Sequence, residues 1–267
     1  MPDTINIELE LVGRKVAFKM AVDKDNLADQ ELMMAMRIGG CPEPEVTGLM
    51  ARVLKPGDYA IDGGANIGFF SILMSRLVGD GQVLAFEPGD NNLYKLKENL
   101  AVNQCENVEI VPQPLWDKEE SVKLHLCVDG SKNSLAAHPD TRGHQFVEAA
   151  TLDDWATASM LRDLRLIKLD IEGAEEKALR GGTALLANHP YIVLEINTEA
   201  LPKFGSSAAS LCDFLREYDY SPFLLHFDGS LPTLIPRGTK VHPRMLNWNV
   251  LFSTIENVGK AWPEIVA

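Results

Sequence analysis

"DYAIDGGANIGFFS", residues 58–71, decides the fold. An apolar run ends in an acid, Gly, Ala and Asn crowd the next positions, and a helical pattern of apolar residues follows. Such residues suit backbone that turns sharply and lets a ligand approach closely, so the stretch reads as strand, binding turn and helix. Outward from it the rhythm repeats: "VLAFEP" is a strand, "DNNLYKLKENLAVN" a helix and "VEIVP" a strand. Further on, "LIKLDIEG", "AEEKALRGGTALLANH", "YIVLEIN" and "SAASLCDFLREY" read as strand, helix, strand and helix. Apolar strands separated by helices imply a sheet buried on both faces, with right-handed parallel crossovers. "PFLLHF" and "WNVLFST" are expected to pair as a C-terminal antiparallel hairpin.

Upstream, "INIELEL" and "KVAFKM" alternate around Gly13-Arg14 as a hairpin, and "LADQELMMAMRIGG" and "PEVTGLMARVL" carry helical spacing. In the middle, "SVKLHLCV" alternates like a half-exposed strand, and "DGSKNSLAAHPDTRGHQF" reads as a long loop of the kind that often holds substrate. The division expected is an N-terminal extension, residues 1–45, and one domain, residues 46–267.

Composition narrows the function. A formal charge of -13, pI about 4.9 and no basic run argue against a nucleic-acid partner. The start lacks a charged segment followed by an apolar one, and no apolar stretch reaches the length of a membrane span, so a soluble cytoplasmic protein is expected. Cys41, Cys105, Cys127 and Cys212 lack C-x-x-C spacing and read as small core residues.

The opening turn is not a phosphate loop, because Phe69 and Phe70 follow Gly68 where Lys-Ser/Thr would be needed. A dinucleotide fingerprint on Gly63, position 65 and Gly68 is weakened by Ala65. The better fit is Asp62-x-Gly64-x-Asn66-x-Gly68, which resembles the D-x-G-x-G-x-G loop of class I S-adenosylmethionine-dependent methyltransferases. Asn66 replaces the middle glycine, and Asn tolerates a left-handed backbone better than most residues. Glu87 ends the next strand, before Pro88, where an acid can accept hydrogen bonds from both ribose hydroxyls. An NAD-dependent enzyme shares that geometry, and a non-catalytic binding protein with the same fold is a third reading. In "LIKLDIEGAE", Lys168, Asp170 and Glu172 alternate, which puts three charges on one side of a buried strand; either they serve a site or Lys168 forms an internal ion pair.

Taken in order, "GDYAIDGGANIGFFS", "AFEPGDNNLYKLKENLAVN", "IKLDIEGAE" and "YIVLEIN" resemble the FkbM-type methyltransferases, with "GGCPEPEVTGL" resembling their approach to the first strand. The likeness covers roughly residues 39–252. It implies an α/β Rossmann-like three-layer sandwich with a seven-stranded, mostly parallel sheet, and transfer of the S-adenosylmethionine methyl group to a hydroxyl of a small molecule, sugar, glycan or polyketide-like product. Residues 113–146 and the N-terminal hairpin depart from the pattern.

On that resemblance Asp62, Gly63, Gly64, Ala65, Asn66, Gly68 and Phe69 form the cofactor loop and helix start, and Glu87 with Pro88 the ribose-binding strand end. Leu115 and Trp116 are expected to wall the adenine, with Asp117 at its amino group. Asp170, Glu172 and His226 are candidates for removing the acceptor's proton, Asp170 also lining the cofactor. Asp170, Glu195 and Asn197 offer oxygens for Mg²⁺, a less favoured reading. No [DN]-P-P-[FYW] tetrad is present, which disfavours nucleobase amino groups. A homo-oligomer joined through the N-terminal hairpin stays open.

Overall fold

Alternating apolar residues on either side of a two-residue turn start the chain as an antiparallel hairpin. In a computed structural model, which describes residues 3–24, 27–37, 40–127, 129–239 and 247–263, β1 (Asp3–Leu11) and β2 (Arg14–Val22) pair along their full length. Val12 and Gly13 both take positive φ, the backbone that a tight two-residue hairpin requires. Two helices follow, α1 (Leu27–Arg37) and α2 (Pro44–Val53), the second opened by a proline whose missing N–H has no partner to lose there.

The α/β rhythm then runs through β3 (Tyr59–Gly63), α3 (Phe69–Val78), β4 (Gln82–Phe86), α4 (Asp90–Val102) and β5 (Val108–Val111). A ribbon, β6 (Ser121–Cys127) and β7 (Thr141–Glu148), interrupts it. It resumes with α5 (Ala158–Asp163), β8 (Leu164–Leu169), α6 (Glu175–Arg180), α7 (Thr183–Leu186), β9 (Tyr191–Asn197) and α8 (Ala208–Arg216). The last elements are β10 (Ser221–Leu224), β11 (Thr233–Leu234), β12 (Asn247–Ser253) and α9 (Ile255–Ala261).

The main sheet has the order β11-β10-β12-β9-β8-β3-β4-β5. The five strands from β9 to β5 are parallel, and β12, β10 and β11 join antiparallel. Alternate residues of one strand feed opposite cores: Ile61 and Ile167 pack with the α6–α8 side, Ala60 and Leu166 with the α2–α4 side. This is the expected three-layer α/β arrangement, including the antiparallel C-terminal pairing, with one correction: eight strands replace seven. The eighth, β11, is two exposed residues long, too short to leave a period in the sequence.

Two further expectations change. The polar segment 129–146 is a loop only as far as residue 140; β7 follows, its side chains alternating between exposed and half-buried with no apolar face to betray it. The helix expected over 174–189 breaks at Gly181-Gly182, where a Cβ on Gly181 would overlap the carbonyl of Trp116 and one on Gly182 would press against Leu152. Among the described residues no helix is long and apolar enough to cross a membrane.

The N-terminal hairpin shares the larger core, with Ile7, Phe18 and Met20 packed in one cluster with Leu73 and Leu96. Polar ties supplement the packing. The Arg14 guanidinium donates to the carbonyls of Ala51, Leu54 and Leu77, oxygens that the ends of α2 and α3 leave without helical partners. Asn99 on α4 accepts from the Ala21 N–H at 2.6 Å and donates to the Ile67 carbonyl at 2.8 Å. One side chain thus joins β2 to the turn after β3.

Candidate active site

At the carboxyl ends of the parallel strands, the turn after β3 is wound by three left-handed residues, Gly64 (φ 80), Asn66 (φ 50) and Gly68 (φ 94). Their every-other-residue spacing is the one anticipated from the motif, with Asn standing in for glycine. The N–H groups of Gly64 and Ala65 both donate to the Phe86 carbonyl, hooking the turn onto the end of β4. Glu87 is 4% exposed and completes the hook: Oε2 accepts from the Asn66 N–H at 2.9 Å and Oε1 from the Gly89 N–H at 2.8 Å. Each oxygen keeps acceptor capacity. Burial pushes the Glu87 carboxyl up to about 7 despite those two amides.

Beneath the turn lies a buried charge pair. Lys168 is 3% exposed, with Nζ 3.5 Å from Asp170 Oδ2, 3.9 Å from Asp62 Oδ1 and 4.8 Å from the centre of the Phe70 ring. Burial pulls its pKa down, but Asp170, Asp62, Glu43 and Glu195 outweigh that pull and hold the ammonium charged. The Ser71 hydroxyl donates to Asp62 Oδ2 at 2.6 Å, while Asp62 Oδ1 has no hydrogen-bond donor among the described residues. After β8, Glu172 (φ 57) and Gly173 (φ 98) bend the chain, and Glu175 Oε1 accepts from the Ile171 and Gly173 N–H groups, fixing the bend.

These elements enclose a cavity of about 650 Å³. The turn contributes Gly64 to Ile67, α3 contributes Phe69 and Phe70, and Glu87 and Asn92 stand on one side. Lys168, Asp170, Glu172 and Glu195 form the floor, and Cys41, Pro42 and Glu43 close it from the N-terminal segment. Gly130 to Asn133 form the remaining wall. That wall is stapled to α4: Asn92 donates to the Gly130 carbonyl and Asn133 to the Asn91 side-chain oxygen. Asp129 in turn caps Ser131. A second cavity, about 500 Å³, lies against α8 and Trp248 and includes none of the turn residues.

Of the residues singled out from sequence, Gly64, Ala65, Asn66, Phe69, Glu87, Lys168, Asp170, Glu172 and Glu195 line the cavity. Asp62, Gly63, Gly68 and Pro88 lie behind it and shape it. A Cβ on Gly63 would meet Leu169 at 2.5 Å and one on Gly68 would meet Leu96 at 2.6 Å, so both glycines serve packing. The Pro88 carbonyl accepts from Gln145, linking β4 to the ribbon.

Leu115, Trp116, Asp117 and His226 are placed elsewhere. Leu115 is buried in the opposite core, because the chain after β5 bridges Leu115 to Ala150. Trp116 donates to Glu120 and packs edge-on to Phe204, and Asp117 pairs with Lys177 at 2.8 Å. His226, beyond β10, meets the Thr233 hydroxyl at 2.8 Å. Asn197 accepts from the Glu199 and Ala200 N–H groups and is not part of the cavity lining that holds Asp170 and Glu195. Among the described residues no three His, Cys, Asp or Glu side chains gather as a metal-holding group.

Sequence reasoning missed Glu43 and Asn92; the 130–133 wall lies in the long polar segment expected to hold substrate, although none of its residues was singled out. Glu43, just ahead of Pro44, carried no local signal.

The cavity is crowded with acids. Burial, reinforced by Asp170, lifts Glu172 to about 7; burial lifts Glu43 to about 7, with Lys168 opposing and Asp170 reinforcing; and burial, with Asp170, Glu172, Glu175 and Glu43 around it, lifts Glu195 to about 9. An unfolded Glu titrates near 4.3, so the folded protein binds more protons than the unfolded chain between roughly pH 4 and 9. Stability is therefore present in full below the unfolded value and is lost as pH rises through the folded ones. The melting temperature is expected to fall from pH 6 to pH 9, and a flat or rising profile in a pH-series thermal melt would refute these assignments.

Such a cavity suits a cationic ligand with a diol: glycine-type turn, accepting carboxylate and acidic floor are the donor set that S-adenosylmethionine calls for. The 2-O-methyltransferase NoeI of Sinorhizobium fredii is 24% identical over 181 residues, covering 62% of this chain and 74% of that protein. Methyltransferase 1 of Beauveria bassiana is 26% identical over 143 residues, covering 46% and 57% respectively. A solved SAM-dependent O-methyltransferase from Thermotoga maritima is 14% identical, covers 93% of this chain and 77% of its own, and has a TM-score of 0.45. The family described as Methyltransferase FkbM domain matches residues 62–222, more than half of the chain. The chain thus belongs to the FkbM methyltransferase family, S-adenosylmethionine-dependent enzymes whose motif residues here converge on one acid-floored cavity.

Proposed function

We propose that the protein methylates a hydroxyl group of a small molecule or glycan. The observation that carries this reading is the single cavity that joins the turn at Gly64–Asn66 and the Glu87 carboxylate to the acids at its floor. Bound S-adenosylmethionine supplies an electrophilic methyl group on a cationic sulfur. The backbone of the turn and Glu87 would hold the cofactor's amino-acid and ribose portions, and the acidic floor favours its positive charge. Aligning acceptor oxygen, methyl carbon and sulfur supplies most of the acceleration in such a displacement. The acids also disfavour anionic acceptors, which makes a neutral hydroxyl compound the fitting class. That the Sinorhizobium relative is a 2-O-methyltransferase supports a hydroxyl.

Calorimetry with S-adenosylmethionine and S-adenosylhomocysteine tests the reading. Both ligands are expected to bind, and Glu87→Ala is expected to weaken both by roughly 100-fold, since two charge-assisted hydrogen bonds are at stake. Absence of heat and of thermal shift with either ligand, or a shift with NAD alone, would sink it.

A further inference from the structure

The cavity's carboxyls differ in what holds them. Glu87 is fixed by two backbone amides, Glu43 accepts from Asn249 at 2.9 Å, and Asp170 is paired with Lys168. Among the described residues, Glu172 and Glu195 are the two carboxyls of the lining with no hydrogen-bond donor or ion-pair partner. Of these, Glu172 has Lys203 and Lys132 nearby to offset its charge. Glu195 has the more acidic surroundings. It projects from β9, a strand held on both sides by β8 and β12, so its position is set by the sheet.

Each neighbouring element presents a group to it. The β8–α6 turn presents Asp170 and Glu172, α6 presents Glu175, and the segment before α2 presents Glu43. β8 presents Lys168, the one cation among them. β12 presents neutral Asn249, directly opposite in register, whose amide donates to Glu43, which lines the cavity, and to Glu45. Four acids against one lysine, itself engaged by Asp62 and Asp170, favour a proton on Glu195 until another positive charge arrives.

Resting on the reading of this cavity as an S-adenosylmethionine site, we propose that Glu195 is the proton acceptor of the transfer and that it keeps its own proton until the cofactor's cationic charge enters beside it. Entry of that charge expels the proton to solvent and leaves a carboxylate. During transfer the acceptor's O–H bond breaks as its oxygen bonds the methyl carbon; the C–S electron pair stays on sulfur and cancels its charge; the hydroxyl proton passes to Glu195. The products are a methyl ether, a neutral thioether and a protonated Glu195, which is the state from which the next cycle starts. Proton loss is thereby tied to cofactor loading, and the base is armed only when a methyl donor is present.

Proton counting tests this without an acceptor. Titrations at pH 8 in buffers of different ionisation enthalpy give the protons exchanged with S-adenosylmethionine and with S-adenosylhomocysteine. The sulfonium makes the α-amino group of S-adenosylmethionine more acidic than that of S-adenosylhomocysteine, so each free ligand is titrated separately and its own proton uptake is subtracted before the difference is taken. Of the cavity's acids Glu195 is raised furthest, by burial and by Asp170, Glu172, Glu175 and Glu43 around it, so it is the one that holds its proton to the highest pH. The charged ligand is expected to release on the order of one proton more per site than the neutral one. Glu195→Gln is expected to bind both and abolish the difference; Glu195→Asp, which keeps a carboxyl, is expected to retain it and guards against a Gln variant that fails to fold. Equal proton counts for the two ligands with the unaltered protein, or an undiminished difference in Glu195→Gln, would overturn the proposal while leaving the binding site intact. Absence of binding by the unaltered protein would overturn the site reading and this proposal with it.

Discussion

Lys168→Met is expected to destabilise the protein by about 3–5 kcal/mol, the usual penalty for removing one partner of a buried ion pair. The lysine is almost fully buried, and its loss leaves Asp62, with no exposed surface at all, facing Asp170 without a compensating cation. Methionine fills most of the volume, so the loss reports charge more than packing. Urea denaturation of the two proteins at pH 7 measures it, and a loss below about 1 kcal/mol would show that the acids simply take up protons when the lysine goes. The result also decides between the two sequence readings of "LIKLDIEG". Lys168 serves as the internal ion pair, and the geometry lets Asp170 and Glu172 serve the cavity at the same time.

Gly64→Ala is expected to weaken cofactor binding by roughly 100-fold, combining a left-handed backbone cost of ~1–2 kcal/mol with a comparable overlap cost. A Cβ at this position would collide with the Asp170 carbonyl oxygen, and backbone cannot swing aside as a side-chain tip can. Relief requires the β3 turn and the β8 turn to part, which separates Glu87 and Asn66 from the floor of the cavity. S-adenosylhomocysteine titration measures the effect, because the neutral ligand avoids the proton exchange at Glu195. Affinity within threefold of the unaltered protein would show that the close approach of the two turns is unnecessary for binding.

The sequence carried the parallel half of the sheet clearly. There, buried strands and amphipathic helices are long enough for their periods to be counted, and the D-x-G-x-N-x-G turn announces its own backbone. It carried β7 and β11 poorly, since one has no apolar face and the other is two residues long. The helix break at Gly181-Gly182 depends on contacts with Trp116 and Leu152, which no local pattern encodes. The same division runs through the site. Turn residues and Glu87 were legible because their backbone chemistry is local. Glu195 was legible as an acid at a strand end and the 130–133 wall as part of a long polar loop, whereas Glu43 and Asn92 reach the cavity through tertiary packing, and Leu115, Trp116 and His226 were carried away from it by the same cause.

Asn99 gives the first residues of the chain a say in recognition. Because its amide grips Ile67 while its oxygen is held by Ala21, an alteration of the leading ribbon propagates to the cofactor turn through a single side chain. The support of that turn therefore extends beyond the stretch matched by its family, residues 62–222, and a version pared back to that stretch would leave Asn99 holding Ile67 without the Ala21 N–H that fixes its amide.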